Sequence, residues 1–202
     1  MNRNLVFTGV GGQGVLLAAN VVGRAAMNAG YETRVGEIHG MSQRGGSVIA
    51  HVRYGEGVYG PTVPEGTADA LVALEPMEAL RYANHLGPSG PMIVSFDPEL
   101  PFSVEKGDAE YPDLSTLRVE LACRGELVEV DAVALAREAG NLKTSNVVLL
   151  GALSEHVDLE IDPEYLHEAI RTEVPEDASK ANLEAFELGR TGRPAPGTNP
   201  SQ

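Results

Sequence analysis

Residues 4–30 read Asn4-Leu5-Val6-Phe7-Thr8-Gly9-Val10-Gly11-Gly12-Gln13-Gly14-Val15-Leu16-Leu17-Ala18-Ala19-Asn20-Val21-Val22-Gly23-Arg24-Ala25-Ala26-Met27-Asn28-Ala29-Gly30, and this stretch decides the fold. The short apolar run over residues 4–8 predicts a buried strand. It feeds the turn Gly9 to Gly14, of the form G-x-G-G-x-G, where glycine supplies conformations closed to other residues. Residues 15–29 are rich in Ala and Leu, lack proline and contain one glycine, Gly23. They predict a helix that Asn28-Ala29-Gly30 closes with a usual C-terminal signal. Strand, glycine turn and helix together make a Rossmann-like first βα unit.

The same alternation continues outward from this unit. Residues 32–37 predict a second strand, and residues 38–46 a polar, glycine-rich connection. Residues 47–54 alternate apolar Val48, Ala50 and Val52 with polar Ser47, His51 and Arg53, a strand with one wet face. A turn-rich segment, 55–66, precedes an apolar strand over 68–74. Glu75-Pro76-Met77-Glu78 opens a helix expected to reach residue 85, since proline and early carboxylates suit a first turn. Further strands are expected over 92–96 and 127–130, with 97–115 irregular between them. Asp131 is placed to cap a helix over 132–139 that Gly140 ends. Residues 146–156 read as a buried helix, Asp162-Pro163 opens another over 164–172, and 179–188 form a last one. The expectation is a three-layer α/β/α domain with a largely parallel sheet and some antiparallel strands around residues 33–66. A single domain is assigned to residues 1–190, with a mobile C-terminal tail over 191–202.

Composition narrows the function. In a chain of 202 residues, 43% apolar and 22% charged content is that of an ordinary globular domain. A net charge of −14 argues against nucleic acid and anionic membranes, whose affinity comes from Lys and Arg. No apolar run is long enough to span a bilayer and no signal-peptide pattern opens the chain, so a cytoplasmic location is expected. With one cysteine, Cys123, the chain cannot form an internal disulfide, and an iron–sulfur cluster normally needs about four thiolates. Any electron carrier therefore belongs to a partner.

Two loops are candidates for chemistry. In the first, Gly9, Gly11, Gly12, Gln13 and Gly14, backbone N–H groups at a helix N-terminus can face a phosphate. Equally, the glycines can serve tight strand–helix packing alone. A dinucleotide fingerprint would also need an acid at the end of the second strand, and Glu32 and Glu37 fit that position imperfectly. Gln13 offers an amide to a ligand or a neighbouring chain. The second loop is Ser42, Gln43, Arg44, Gly45 and Gly46, where an arginine beside glycines can present its planar fork to a phosphate or carboxylate. Read without the first loop, it is an ordinary solvated turn. His39, His51, His85, His156 and His167 lack metal-ligand spacing, and neither Ser42, Ser47 nor Cys123 sits in a nucleophile's setting, so no metal site and no catalytic residue is assigned.

Taken together, Gly9-Val10-Gly11-Gly12-Gln13-Gly14-Val15 and Arg44-Gly45-Gly46 resemble the gamma-type domain of the 2-oxoacid:ferredoxin oxidoreductases. Glu37 to Val48, and Asp69 to Leu74 running into Glu75-Pro76-Met77-Glu78-Ala79-Leu80-Arg81, are similar to the indolepyruvate branch. Residues 146–153, Lys180-Ala181-Asn182, Ala185-Phe186 and Gly189 extend the likeness to residues 4–190, weakest over 97–124. The resemblance implies a larger alpha subunit that carries thiamine diphosphate and [4Fe–4S] clusters, decarboxylates an aryl pyruvate, reduces ferredoxin and yields an aryl-acetyl-CoA. This chain would bind no cofactor itself, with coenzyme A as co-substrate of the complex. Two alternatives stand beside it: a gamma subunit of a pyruvate or other 2-oxoacid:ferredoxin oxidoreductase, and a stand-alone Rossmann-type nucleotide-binding protein.

Overall fold

A computed structural model describes residues 2–39, 45–100, 104, 106–107 and 110–192. Its sheet holds six strands: β1 (Arg3–Val10), β2 (Glu32–His39), β3 (Ser47–Gly55), β4 (Ala70–Ala73), β5 (Pro91–Ser95) and β6 (Glu126–Val130). Seven α-helices are described: α1 (Val15–Asn28), α2 (Pro76–Tyr82), α3 (Leu114–Ala122), α4 (Ala132–Glu138), α5 (Ser145–His156), α6 (Pro163–Glu173) and α7 (Glu176–Thr191). The strands are ordered β2-β3-β1-β4-β5-β6. β1, β4, β5 and β6 run parallel, while β3 is antiparallel to both β1 and β2.

Period-two alternation explains the layering. Leu5, Phe7, Ala70, Val72 and Ile93 point to one face, where they meet α1, α4, α5, α6 and α7. Val6, Leu71, Ala73, Met92 and Val94 point to the other, covered by α2 and α3. The α/β/α expectation and its antiparallel insertion are therefore both met.

Several elements begin and end where the residues direct. Asp131 accepts the Ala134 N–H at 3.0 Å and Asp162 accepts the Glu164 N–H at 2.9 Å, capping α4 and α6. Gly30 and Gly140, with φ of 93° and 88°, close α1 and α4. Other boundaries moved. The helix expected to reach residue 85 stops at Tyr82 and tightens into a 3₁₀ turn, Ala83–His85. α3 lies at the end of a stretch read as irregular; Asp113 caps it by accepting the Ser115 N–H at 2.8 Å, and Leu117 and Leu121 bury its inner face. Of the tail expected over 191–202, Thr191 instead ends α7, and residues 193–202 lie outside the described residues.

Helices α5 and α7 pack closest. A Cβ on Gly151 would lie 2.0 Å from the Phe186 carbonyl oxygen, and one on Gly189 2.0 Å from that of Val148. Both glycines let the two backbones touch.

Candidate functional site

The polypeptide leaves β1 at Val10 and enters α1 through the glycine turn. Gly12 and Gly14 take φ of 110° and 84°, which only glycine adopts readily. A Cβ at Gly9 would sit 2.7 Å from Gln13 Oε1 and 3.1 Å from Leu74 Cβ, so the strand end has no room for a side chain. Gln13 shows why an amide stands here: its Oε1 accepts the Val10 N–H at 2.8 Å and its Nε2 donates to the Leu74 carbonyl at 3.2 Å. Both ends of the amide are thus engaged within the chain, fastening the turn to the end of β4.

From the far side, Asn146 opens α5 and reaches the same turn. It is 1% exposed; its Nδ2 donates to the Gly14 carbonyl at 3.1 Å and its Oδ1 accepts the Val147 N–H at 2.9 Å. The second glycine loop also meets the first, because the Gly11 N–H donates to the Gly46 carbonyl at 2.9 Å. Gly45 has φ of 70°. Ser42, Gln43 and Arg44 lie outside the described residues.

The Gln13 and Asn146 contacts border a cavity of about 530 Å³ at the carboxyl ends of β1, β4, β5 and β6. Gly12, Gln13 and Gly14 form one wall, Asp97, Pro98 and Glu99 another, and Lys143, Ser145 and Asn146 a third. Helix α1 follows β1 on one face of the sheet and α2 follows its neighbour β4 on the other, so the cavity opens at a topological switch point, where open α/β sheets bind ligands. The first turns of α1 and α5 border it, and helix N-termini favour negative charge. Lys143 adds a cation to walls that also carry Asp97 and Glu99.

Glu32 and Glu37 do not complete a dinucleotide site. β2 is separated from β1 by β3, which places it roughly 10 Å away in the plane of the sheet. A usual fingerprint has its second strand directly beside the first.

Behind the cavity, on the α2 face, lies a polar group that reading the sequence did not single out. Glu75 is 1% exposed and caps α2; its Oε2 accepts the Glu78 N–H at 2.9 Å and its Oε1 accepts the Tyr111 hydroxyl. Burial raises the Glu75 carboxyl above the usual carboxylate range, against the lowering effect of the Tyr111 hydrogen bond. Glu78 accepts from the Ser47 hydroxyl and from Arg81 Nε, the latter at 3.1 Å. Below this group, burial and then the neighbouring His85 depress His51 to about 4. Asn146 had a signal: a lone amide opening an otherwise apolar helix. Glu75 and Glu78 carried a capping pattern that hid their tertiary partners.

A mixed α/β domain with a glycine-rich turn at its switch point, matched over residues 4–192 by the family described as pyruvate ferredoxin/flavodoxin oxidoreductase, belongs to that family. Within it, the chain is 52% identical over 188 residues to the indolepyruvate oxidoreductase subunit IorB of Thermococcus kodakarensis, across 92% of this chain and 93% of that one. The protein of the same name from Pyrococcus horikoshii is 50% identical over the same shares. Among solved structures, the pyruvate oxidoreductase subunit PORC of Thermotoga maritima shares the fold, with a TM-score of 0.72 at 20% identity over 94% of this chain and 96% of that one. The resemblance carried by the two loops is thereby confirmed at the level of family.

Proposed function

We propose that this chain is the small subunit of a cytoplasmic indolepyruvate:ferredoxin oxidoreductase, completing an enzyme that converts aryl pyruvates to aryl-acetyl-CoA. The larger alpha subunit holds thiamine diphosphate and the [4Fe–4S] clusters, and electrons leave it for ferredoxin. Support comes from the relatives named for indolepyruvate and from a chain with one cysteine, Cys123, which has no thiolate set for a cluster. Among the described residues no group of three or more His, Cys, Asp or Glu side chains is placed to hold a metal. No helix among them is long and apolar enough to cross a membrane.

The observation that supports this role is the Gly11 to Gly46 hydrogen bond, which ties the turn whose Gly12, Gln13 and Gly14 line the cavity to the end of the second glycine loop. In this reading the loops border the path of coenzyme A, with Arg44 pairing a phosphate and the amides of the Gly9 to Gly14 turn facing the same anion. Co-expression with a larger alpha subunit, followed by anaerobic viologen reduction with indolepyruvate and coenzyme A, tests the assignment. Turnover with pyruvate and none with indolepyruvate would move the chain to the pyruvate branch. Replacing Arg44 with alanine raises the apparent KM for coenzyme A if the site is read correctly; an unchanged KM removes that role.

The switch-point cavity favours one other reading, a stand-alone nucleotide-binding protein. Titrating the purified chain with NAD and FAD separates the two: saturable binding by the chain alone supports the alternative.

A further inference from the structure

The cavity at the carboxyl ends of the strands is walled by both signs of charge. Its volume of about 530 Å³ falls in the range of roughly 300–1,000 Å³ usual for small-molecule sites. Leu17, Leu74, Val133, Leu142 and Leu149 make much of its lining apolar. The amides that border it are already engaged: Gln13 holds the Val10 N–H and the Leu74 carbonyl, and Asn146 holds the Gly14 carbonyl and the Val147 N–H. Charge in the lining comes from Lys143 on one wall and from Asp97 and Glu99 on another. None of the three forms an ion pair with another described residue. Asp97 Oδ2 accepts the Ser95 hydroxyl at 3.0 Å, which ties that carboxylate to the end of β5.

These charges select among ligands. A polyanion brings its charges against Asp97 and Glu99, and a simple cation brings its charge against Lys143; like charges set together cost affinity. A simple acid answers Lys143 alone. A zwitterion with an apolar side chain answers all three surfaces: its carboxylate meets Lys143, its ammonium meets Asp97 and Glu99, and its side chain lies against the leucines. Lys143 and Glu99 are exposed, with side chains long enough to close on so small a ligand.

We propose that this cavity binds a free apolar α-amino acid as its zwitterion. The inference goes beyond the coenzyme A reading, whose Gly11 and Gly46 are not among the described residues that line the cavity. Transfer of its amino group to an acceptor turns such an amino acid into a 2-oxo acid, so the ligand stands one transamination ahead of the substrate class proposed above.

The chain contains no tryptophan, so free tryptophan excited beyond the tyrosine band reports its own binding without background from the protein. Titration of the full chain into tryptophan, followed by the anisotropy of the ligand's emission, is expected to saturate. Tryptamine, which lacks the carboxylate, and indole-3-acetate, which lacks the ammonium, should each bind about tenfold more weakly, the value of one charge-assisted hydrogen bond. Lys143→Gln should weaken tryptophan about tenfold and tryptamine not at all; the Asp97→Asn/Glu99→Gln pair should weaken tryptophan by a similar factor and indole-3-acetate not at all. Val133→Phe, which fills the cavity, should abolish binding of all three probes. Where Val133→Phe does not fold, the Lys143 and acid-pair variants decide by the pattern just given. Absence of saturable tryptophan binding overturns the proposal, as does equal affinity for the three probes, or a tryptophan affinity that Lys143→Gln and the acid pair both leave unchanged. Direct displacement of tryptophan by coenzyme A overturns it as well, because the cavity then belongs to the coenzyme A path. The coenzyme A reading itself stands or falls separately, on Arg44→Ala in the assembled complex.

Discussion

Replacing Gly151 with alanine sets two effects of opposite sign against each other, and the structure says which wins. Helix propensity alone favours alanine by about 1 kcal/mol at an interior position. Against that, the new Cβ would lie 2.0 Å from the Phe186 carbonyl oxygen, 2.8 Å from Arg190 N and 3.0 Å from Gly189 Cα. These are backbone atoms and cannot rotate away. An ordinary carbon–oxygen approach is about 3.3 Å, so α5 and α7 must part by more than 1 Å. Overpacking of this kind costs about 1–3 kcal/mol, and parting the helices also weakens dispersion along their whole contact. The net expectation is a loss of about 2 kcal/mol or more, read as a lower urea midpoint in equilibrium unfolding of the full chain followed by circular dichroism. Gly23→Ala in α1 is the control. Its Cβ would crowd Val35 Cγ2, at 2.6 Å, a methyl on an edge strand residue 36% exposed and able to turn aside, and would touch Thr33 Cγ2 at an ordinary 3.8 Å. That variant should stay within about 0.5 kcal/mol of the parent. A Gly151→Ala chain as stable as the parent would refute the reasoning.

Acid should also weaken the fold. His51 binds its proton near 4 when folded, against an ordinary 6.5, so the unfolded chain takes up more protons, and stability present above 6.5 falls by roughly 3 kcal/mol as pH drops to 4; urea midpoints across that range measure it, and His51→Gln should flatten the slope. At the glycine turn, Gln13→Ala removes the acceptor of the Val10 N–H and the donor to Leu74, with an expected loss of about 1–2 kcal/mol. Gln13→Glu should be worse, since it sets a carboxylate oxygen against the Leu74 carbonyl; equal stabilities would contradict the geometry. Gly14→Ala combines a φ of 84° with a Cβ 2.5 Å from Asn146 Nδ2. It is expected to cost about 2 kcal/mol and to raise KM for coenzyme A in the complex, because Asn146 must leave the Gly14 carbonyl.

What could be read before the structure was local. The glycine turn, the Asp131 and Asp162 caps and the closing Gly140 each declare themselves within a few residues, since the partner of each polar group is a near neighbour. Helix α3 was legible in principle from Asp113 and the leucine spacing 114, 117, 121, but the proline and acid before it drew attention away. Sheet order was not legible: nothing near residues 32–55 says that β3 and not β2 pairs with β1. The site shows the same divide. Gly9 to Gly14 announced itself, whereas Asn146 meets Gly14 across 132 positions and Ser47 meets Glu78 across 31. Such pairings depend on how distant segments stack, which periodicity does not encode.

Strand β2 forms one margin of the sheet, eight residues long, with its outer backbone unpaired by any other described strand. A margin of that length is a template onto which any extended peptide can add. Glu32, Arg34 and Glu37 stand along it, and a second copy approaching the same margin brings the same −14 charge. A subunit not yet assembled therefore has a built-in guard against sticking to itself.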